Sequence, residues 1–206
     1  MQGFGGSPYI AIEIDGSSNN KILSSRIGTS LPGNTDGTAN FTGISIINGA
    51  TGNFVGDGNG LHGNVIGNSS FGIRINGSNG NTITGNHIGI GLNGDSDVGN
   101  SIGIDVFNSS GTIIGIAGDH TNLISYNSSQ GIRLQGATNT SIANNYIGID
   151  QTGLLDRGNG TGIEVYSASD LRFDQKDQVF DVSHLPQGIY FISIDERVMR
   201  KQGDLF

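Results

Sequence analysis

Glu13, Ser45, Arg74, Asp105, Arg133 and Glu164 follow one another at nearly even intervals along the chain. Each lies between two aliphatic residues of a recurring Gly-Ile-x-aliphatic phrase, so strand alternation turns all of these side chains to one face. Carboxylates beside guanidinium groups could run acid–base chemistry. Asp105 would be a general base or metal ligand, and Arg74 or Arg133 would stabilise a developing anion or take the proton. The same order also alternates an acid or hydroxyl with a base, as a ladder of surface ion pairs does, each pair worth ~0–1 kcal/mol. Regular neutralisation favours the ladder, because catalytic sites force like charges together or place a charge in an apolar pocket. We therefore assign no catalytic residue and keep Arg74, Asp105, Arg133 and Glu164 as candidates.

A second acidic set recurs in loops. Asp36, Asp97 and Asp156 each fall at the same offset from the start of their phrase, and Asp95 stands beside Asp97 in "GDSDVGN". Stacked carboxylates could hold calcium, which needs 6–8 oxygens at about 2.3–2.6 Å. One carboxylate per loop, in copies ~10 Å apart, is sparse for that purpose. An Asx turn before Gly or Gly-Asn explains the same residues. We thus expect no cofactor, calcium being the one ion the pattern admits. His62, His87, His120 and His184 form no zinc-binding spacing.

What positions these residues is repetition. "NHIGIGLNGDSDVGNSIGIDV" at 86–106 returns at 145–165 as "NYIGIDQTGLLDRGNGTGIEV", with about half of the positions identical and no gap. A looser copy, "SRIGTSLPGNTDGTANFTGISI", lies at 25–46. The finer unit is about 30 residues long and holds three short runs of alternating Ile and Val separated by Gly, Asn and Ser. No run is long enough for a helix of several turns. Three short strands per turn make a coil of sheet. Stacking at ~4.8 Å would align Ile12, Ile44, Ile73, Ile104, Ile132 and Ile163 as one buried column, beside Ile14, Ile46, Ile75, Val106, Leu134 and Val165. Asn86 with Asn145, and Asn68 with Asn127, recur at corners. There Asn tolerates positive φ and its amide can bond its copy on the next turn.

Composition supports strands and excludes several partners. Gly is 36 of 206 residues but Pro only 3, which rules out collagen. A net charge of -8 repels phosphate, so no nucleic-acid partner is expected. The absence of Cys excludes disulfides and thiolate metal sites. No stretch approaches the ~18 apolar residues of a membrane span. The first residues lack a basic n-region and a continuous apolar h-region, and a repeat begins almost at Met1, so we expect an excerpt of a longer chain.

The stretch "GTIIGIAGDHTNLISYNSSQGIRLQGATNTSIANNYIGIDQTGLLDRGNGTGIEV" resembles the right-handed parallel β-helix repeats of large bacterial secreted and surface proteins, over about residues 10–166. The resemblance implies a pectate-lyase-like fold, which does not itself imply cleavage. "VFDVSHLPQGIYFISIDERVMRKQGDLF" is similar to the latter half of the type IX secretion sorting domain, the match being carried by Val179, Leu185, Pro186, Gly188, Ile189 and Tyr190. The opening strand of that domain has no counterpart here, so the tail reads as a fragment or as a cap on the coil.

We therefore expect an all-β protein: a right-handed parallel β-helix of five to six rungs over 1–170, and a short β appendage over 171–206. The expected function is a non-catalytic extracellular or cell-surface module, adhesin-like or stalk-like, with a glycan as partner. The alternative is a polysaccharide lyase or glycoside hydrolase acting on acidic glycan. Secretion or surface display follows from the resemblance, and end-to-end self-association follows from exposed terminal rungs.

Overall fold

The computed structural model describes residues 9–57, 63–116, 121–175, 178–181 and 190–192. Among the described residues every element is a strand. The first turn comprises β1 (Ile10–Asp15), β2 (Lys21–Ile22) and β3 (Arg26–Ile27). The second comprises β4 (Asn40–Ile47), β5 (Phe54–Val55) and β6 (Val65–Ile66). The third comprises β7 (Ser69–Asn76), β8 (Thr82–Ile83) and β9 (His87–Ile88). The fourth comprises β10 (Ile102–Phe107), β11 (Ile113–Ile114) and β12 (Asn122–Ile124). The fifth comprises β13 (Gln130–Gln135), β14 (Ser141–Ala143) and β15 (Asn145–Ile147). A sixth begins with β16 (Thr161–Tyr166) and β17 (Arg172–Gln175), and β18 (Gln178–Asp181) and β19 (Tyr190–Ile192) follow.

Like strands of successive turns pair in parallel, giving three sheets around one core: a parallel β-solenoid of about five turns. The register is the one that the aliphatic period predicts. Ile104 pairs with Ile73 and Ile132, and Val106 with Ile75 and Leu134. A second wall comes from Ile22, Val55, Ile83, Ile114, Ile142 and Phe173 on the second sheet. Ile27, Ile66, Ile88 and Ile124 form the third. No turn closes a core alone. Each buries its aliphatics only by lying between two others, so cooperativity is built into the architecture.

The Gly of each phrase has a steric cause. A Cβ on Gly43, Gly72 or Gly103 would stand 2.6 Å from the carbonyl oxygen of the corresponding Gly one turn on. Only Gly lets the backbones come that close.

The corners hold ladders of buried amides. Asn64, Asn86, Asn122 and Asn145 stack over four turns, each side-chain oxygen accepting from the amide of the turn before, at 2.8–3.1 Å. Asn20, Asn53 and Asn81 form a second ladder, and Asn100, Asn127 and Asn159 a third. The conformational expectation needs a correction. Among the four corner residues singled out above, only Asn68 takes positive φ. At the other three the residue just before the Asn does so: Gly85 at 70°, Tyr126 at 61° and Asn144 at 48°. The left-handed residue makes the bend, and this turns the following amide inward.

The core runs past residue 170: Leu171 and Phe173 are buried in it, and β17 pairs in parallel with β14 as a further rung. Beyond it, β18 pairs antiparallel with β17, and β19 antiparallel with β16. Both strands therefore lie on edges that would otherwise end the coil exposed. Of the tail motif, residues 185–189 lie outside the described residues. Truncation after Gln175 should uncover β16 and β17. We expect the parent to stay monodisperse and the truncated chain to gain apparent mass by light scattering; an unchanged mass would refute the capping role.

Candidate functional site

The third to fifth turns bring Arg74, Asp105 and Arg133 together on the outer face of the first sheet. Their strands pair so that Asp105 lies between Arg74 and Arg133 in register, with Glu164 next after Arg133. Arg133 Nε donates to Asp105 Oδ1 at 2.8 Å. Arg74 Nε stands 3.3 Å from Asp105 Oδ2, but out of line, and both atoms are buried without a hydrogen bond. The surface-ladder expectation is revised in one respect. Asp105 is fully buried, whereas the Arg74 and Arg133 side chains keep 33% and 25% of their surface.

An aromatic ring explains the burial. Phe71 lies on the same strand as Arg74, three residues before it, and both guanidinium groups gather over it, at 4.8 Å for Arg74 and 5.7 Å for Arg133. Their strands are two rungs apart, ~10 Å at ordinary strand spacing, so Arg133 must lean back across Asp105 to reach the ring. Phe41 packs edge-on against Phe71 at 5.5 Å and is itself exposed. Next to Phe71 in register comes Ile102, buried yet outside the core cluster, and then Gln130, whose Oε1 is buried without a partner. Sequence reading missed Phe71, Phe41 and Gln130. For Phe71 and Gln130 the signal available was their place just before the Gly of the phrase, a position that alternation alone does not assign to the outer face; Phe41 stands two residues before Gly43.

No family model matches the chain, and no curated protein or solved structure does. What this face can do must therefore be read from its own atoms. A buried carboxylate flanked by two guanidiniums is a neutralised counter-ion and not an acid open to solvent.

The loop aspartates are placed differently. Asp36, Asp97 and Asp156 close their loops by backbone bridges to Thr29, Ile90 and Ile149, and all three side chains are exposed. Asp97 Oδ1 accepts from Gly99 N at 2.9 Å, an Asx turn. Asp95 binds Arg157, whose Nε is 2.9 Å from its Oδ1, while its carbonyl accepts from the Tyr126 hydroxyl at 3.0 Å. Among the described residues, no group of three or more His, Cys, Asp or Glu side chains is arranged to hold a metal ion. The loops instead hold one another, two rungs apart. Leu92 N donates to Gly33 O at 2.9 Å and Asn93 N to Asn34 Oδ1 at 3.0 Å, and Arg157 links the second loop to the third. Tyr126, from the short corner between the second and third loops, fills the intervening layer.

Asp150 in the third loop is a structural carboxylate that the sequence reading passed over. Burial pushes its carboxyl up, but hydrogen bonds from Thr152 and from the Leu155 and Leu154 amides outweigh this and leave it below its ordinary value. A depressed folded-state pKa means that its contribution is complete above the unfolded value, ~3.9, and is lost as pH falls through the lower folded value. The Leu154 and Leu155 amide resonances should therefore titrate with a midpoint below the ordinary carboxylate value of ~3.9. A midpoint at or above that value would contradict the assignment. His87 is held below its ordinary value by burial, which outweighs the bond of its Nδ1 to Gly91 O at 2.7 Å; Arg26 lowers it further. His62, His120 and His184 lie outside the described residues.

Proposed function

We propose that the chain is a non-catalytic extracellular or cell-surface module, adhesin-like or stalk-like, that retains glycans on the outer face of its first sheet. The supporting observation is the state of Asp105: the acid best placed by sequence for catalysis is fully buried and already neutralised. Glycoside hydrolysis needs two carboxyl groups open to the sugar and about 5–9.5 Å apart. Here Asp105 is covered and Glu164 lies two rungs away. The rest of the fold is a scaffold of stacked aliphatics and amides.

Export by a type IX route, and a right-handed pectate-lyase-like coil, complete the proposal; both rest on the sequence resemblance. The decisive experiment incubates the protein with a panel of acidic and neutral polysaccharides, scoring retention and chain cleavage together. Retention without cleavage is expected. Cleavage of polygalacturonate or alginate, with or without calcium, would replace the module by the lyase or hydrolase reading.

A further inference from the structure

We propose that Arg74 and Arg133 together seat an anionic group, a carboxylate or sulfate ester, carried at wide intervals on a glycan. This rests on the glycan-retaining reading and names the ligand class for that face. Both arginines approach Asp105 most closely through Nε. Among the described residues, no group accepts a hydrogen bond from the Nη nitrogens of either. Two guanidiniums share one buried carboxylate, and the next acid in register, Glu164, makes no ion pair with either among the described residues. The planar forks lie on Phe71 and are partly exposed. Such a fork matches the oxygens of a carboxylate or sulfate in geometry and charge.

The patch is also short of hydrogen bonds. Six buried side-chain polar atoms lack a partner among the described residues, and three of them, Arg74 Nε, Asp105 Oδ2 and Gln130 Oε1, are in this one region. Buried polar atoms are normally satisfied; of these three only Arg74 Nε is a donor that an anion can satisfy, while Asp105 Oδ2 and Gln130 Oε1 are acceptors whose partners would have to be glycan hydroxyls. Arg74 is held by the ring and not by an aligned bond, so a small rotation brings it to an incoming anion without breaking one. Phe41, 40% exposed at the edge of Phe71, offers an apolar surface for a sugar ring. The net charge of -8 selects among anions. A dense polyanion is repelled by the whole surface, whereas an isolated acidic group feels mainly the local pair.

The test uses the full chain with hyaluronate (carboxylate only), κ-carrageenan (sulfate only) and dextran (neutral), measured by affinity electrophoresis at two salt concentrations. We expect retention by one or both acidic glycans, weakened by salt, with Arg74→Gln reducing affinity about ten-fold, the scale of one partly exposed charge-assisted contact. Arg133 still neutralises Asp105 in that variant. Glu164→Gln should tighten binding by removing a flanking negative charge, a change that a merely structural role would not produce. Equal retention of acidic glycans by parent and Arg74→Gln, or retention of dextran alone, would overturn the anion seat and leave the glycan module standing. Failure to retain any of the three would overturn both.

Discussion

Asn86→Ala should destabilise the whole coil by about 4 kcal/mol or more, measured by urea unfolding. Its Oδ1 accepts from both the backbone and the side-chain nitrogen of Asn64, and its Nδ2 donates to Val55 O, Thr84 O and Asn122 Oδ1. Alanine strands the Asn64 N–H, a cost of about 1–3 kcal/mol, and removes the bond from Asn64 Nδ2 and those made by the two N–H groups of Asn86 Nδ2, worth about 1 kcal/mol each when made. Water cannot compensate, because both Asn64 and Asn86 are fully buried. The loss is a large fraction of the ~5–15 kcal/mol that holds an ordinary domain. Asn93→Ala, on an exposed loop, is the matched control and should cost under about 1 kcal/mol. A parent-like midpoint for Asn86→Ala would show that the ladder contributes nothing to stability.

The second large effect is expected at Ile104→Asn. Ile104 is fully buried between Ile73 and Ile132 in the middle of the first wall. An unpaired amide there costs about 1–3 kcal/mol, and the lost apolar burial adds about as much again. Since each turn lies on its neighbours, the damage should spread beyond the fourth. Hydrogen exchange is expected to rise together in β7, β10 and β13. Acceleration confined to β10, or a melting curve like that of the parent, would mean that the turns are energetically independent.

The aliphatic walls were legible in the sequence because a wall is a one-dimensional code: Ile or Val at a fixed offset in every unit places the same atoms on every rung. The amide ladders were half legible. Asn86 and Asn145 recur for the reason expected, amide stacking, but positive φ belongs to Gly85 and Asn144, because the bend and the inward amide need different residues. The charged stripe was legible as a list and not as an environment. Asp105 reads as an outward residue and does point outward. Its burial depends on Arg133 folding back over it towards Phe71, a choice of rotamer that no period records. The stacking of alternate loops was equally hidden, since it depends on how far each loop projects, and Asp150 has Ser30 and Gly91 at the same place in the other copies.

That alternation of loops sets a rule for how such a molecule can change length. The core would accept one turn added or removed, because every aliphatic layer looks alike to its neighbours. The loops would not. Excising one turn brings two projecting loops to a single strand spacing, half the separation at which Leu92 meets Gly33 and Arg157 meets Asp95. Excising two turns leaves the surviving loops in their old relation. Recombination within the gene should therefore be tolerated in steps of two turns, the interval at which the sequence repeats itself most closely, and a change by a single turn should be opposed by the flank of the coil and not by its interior.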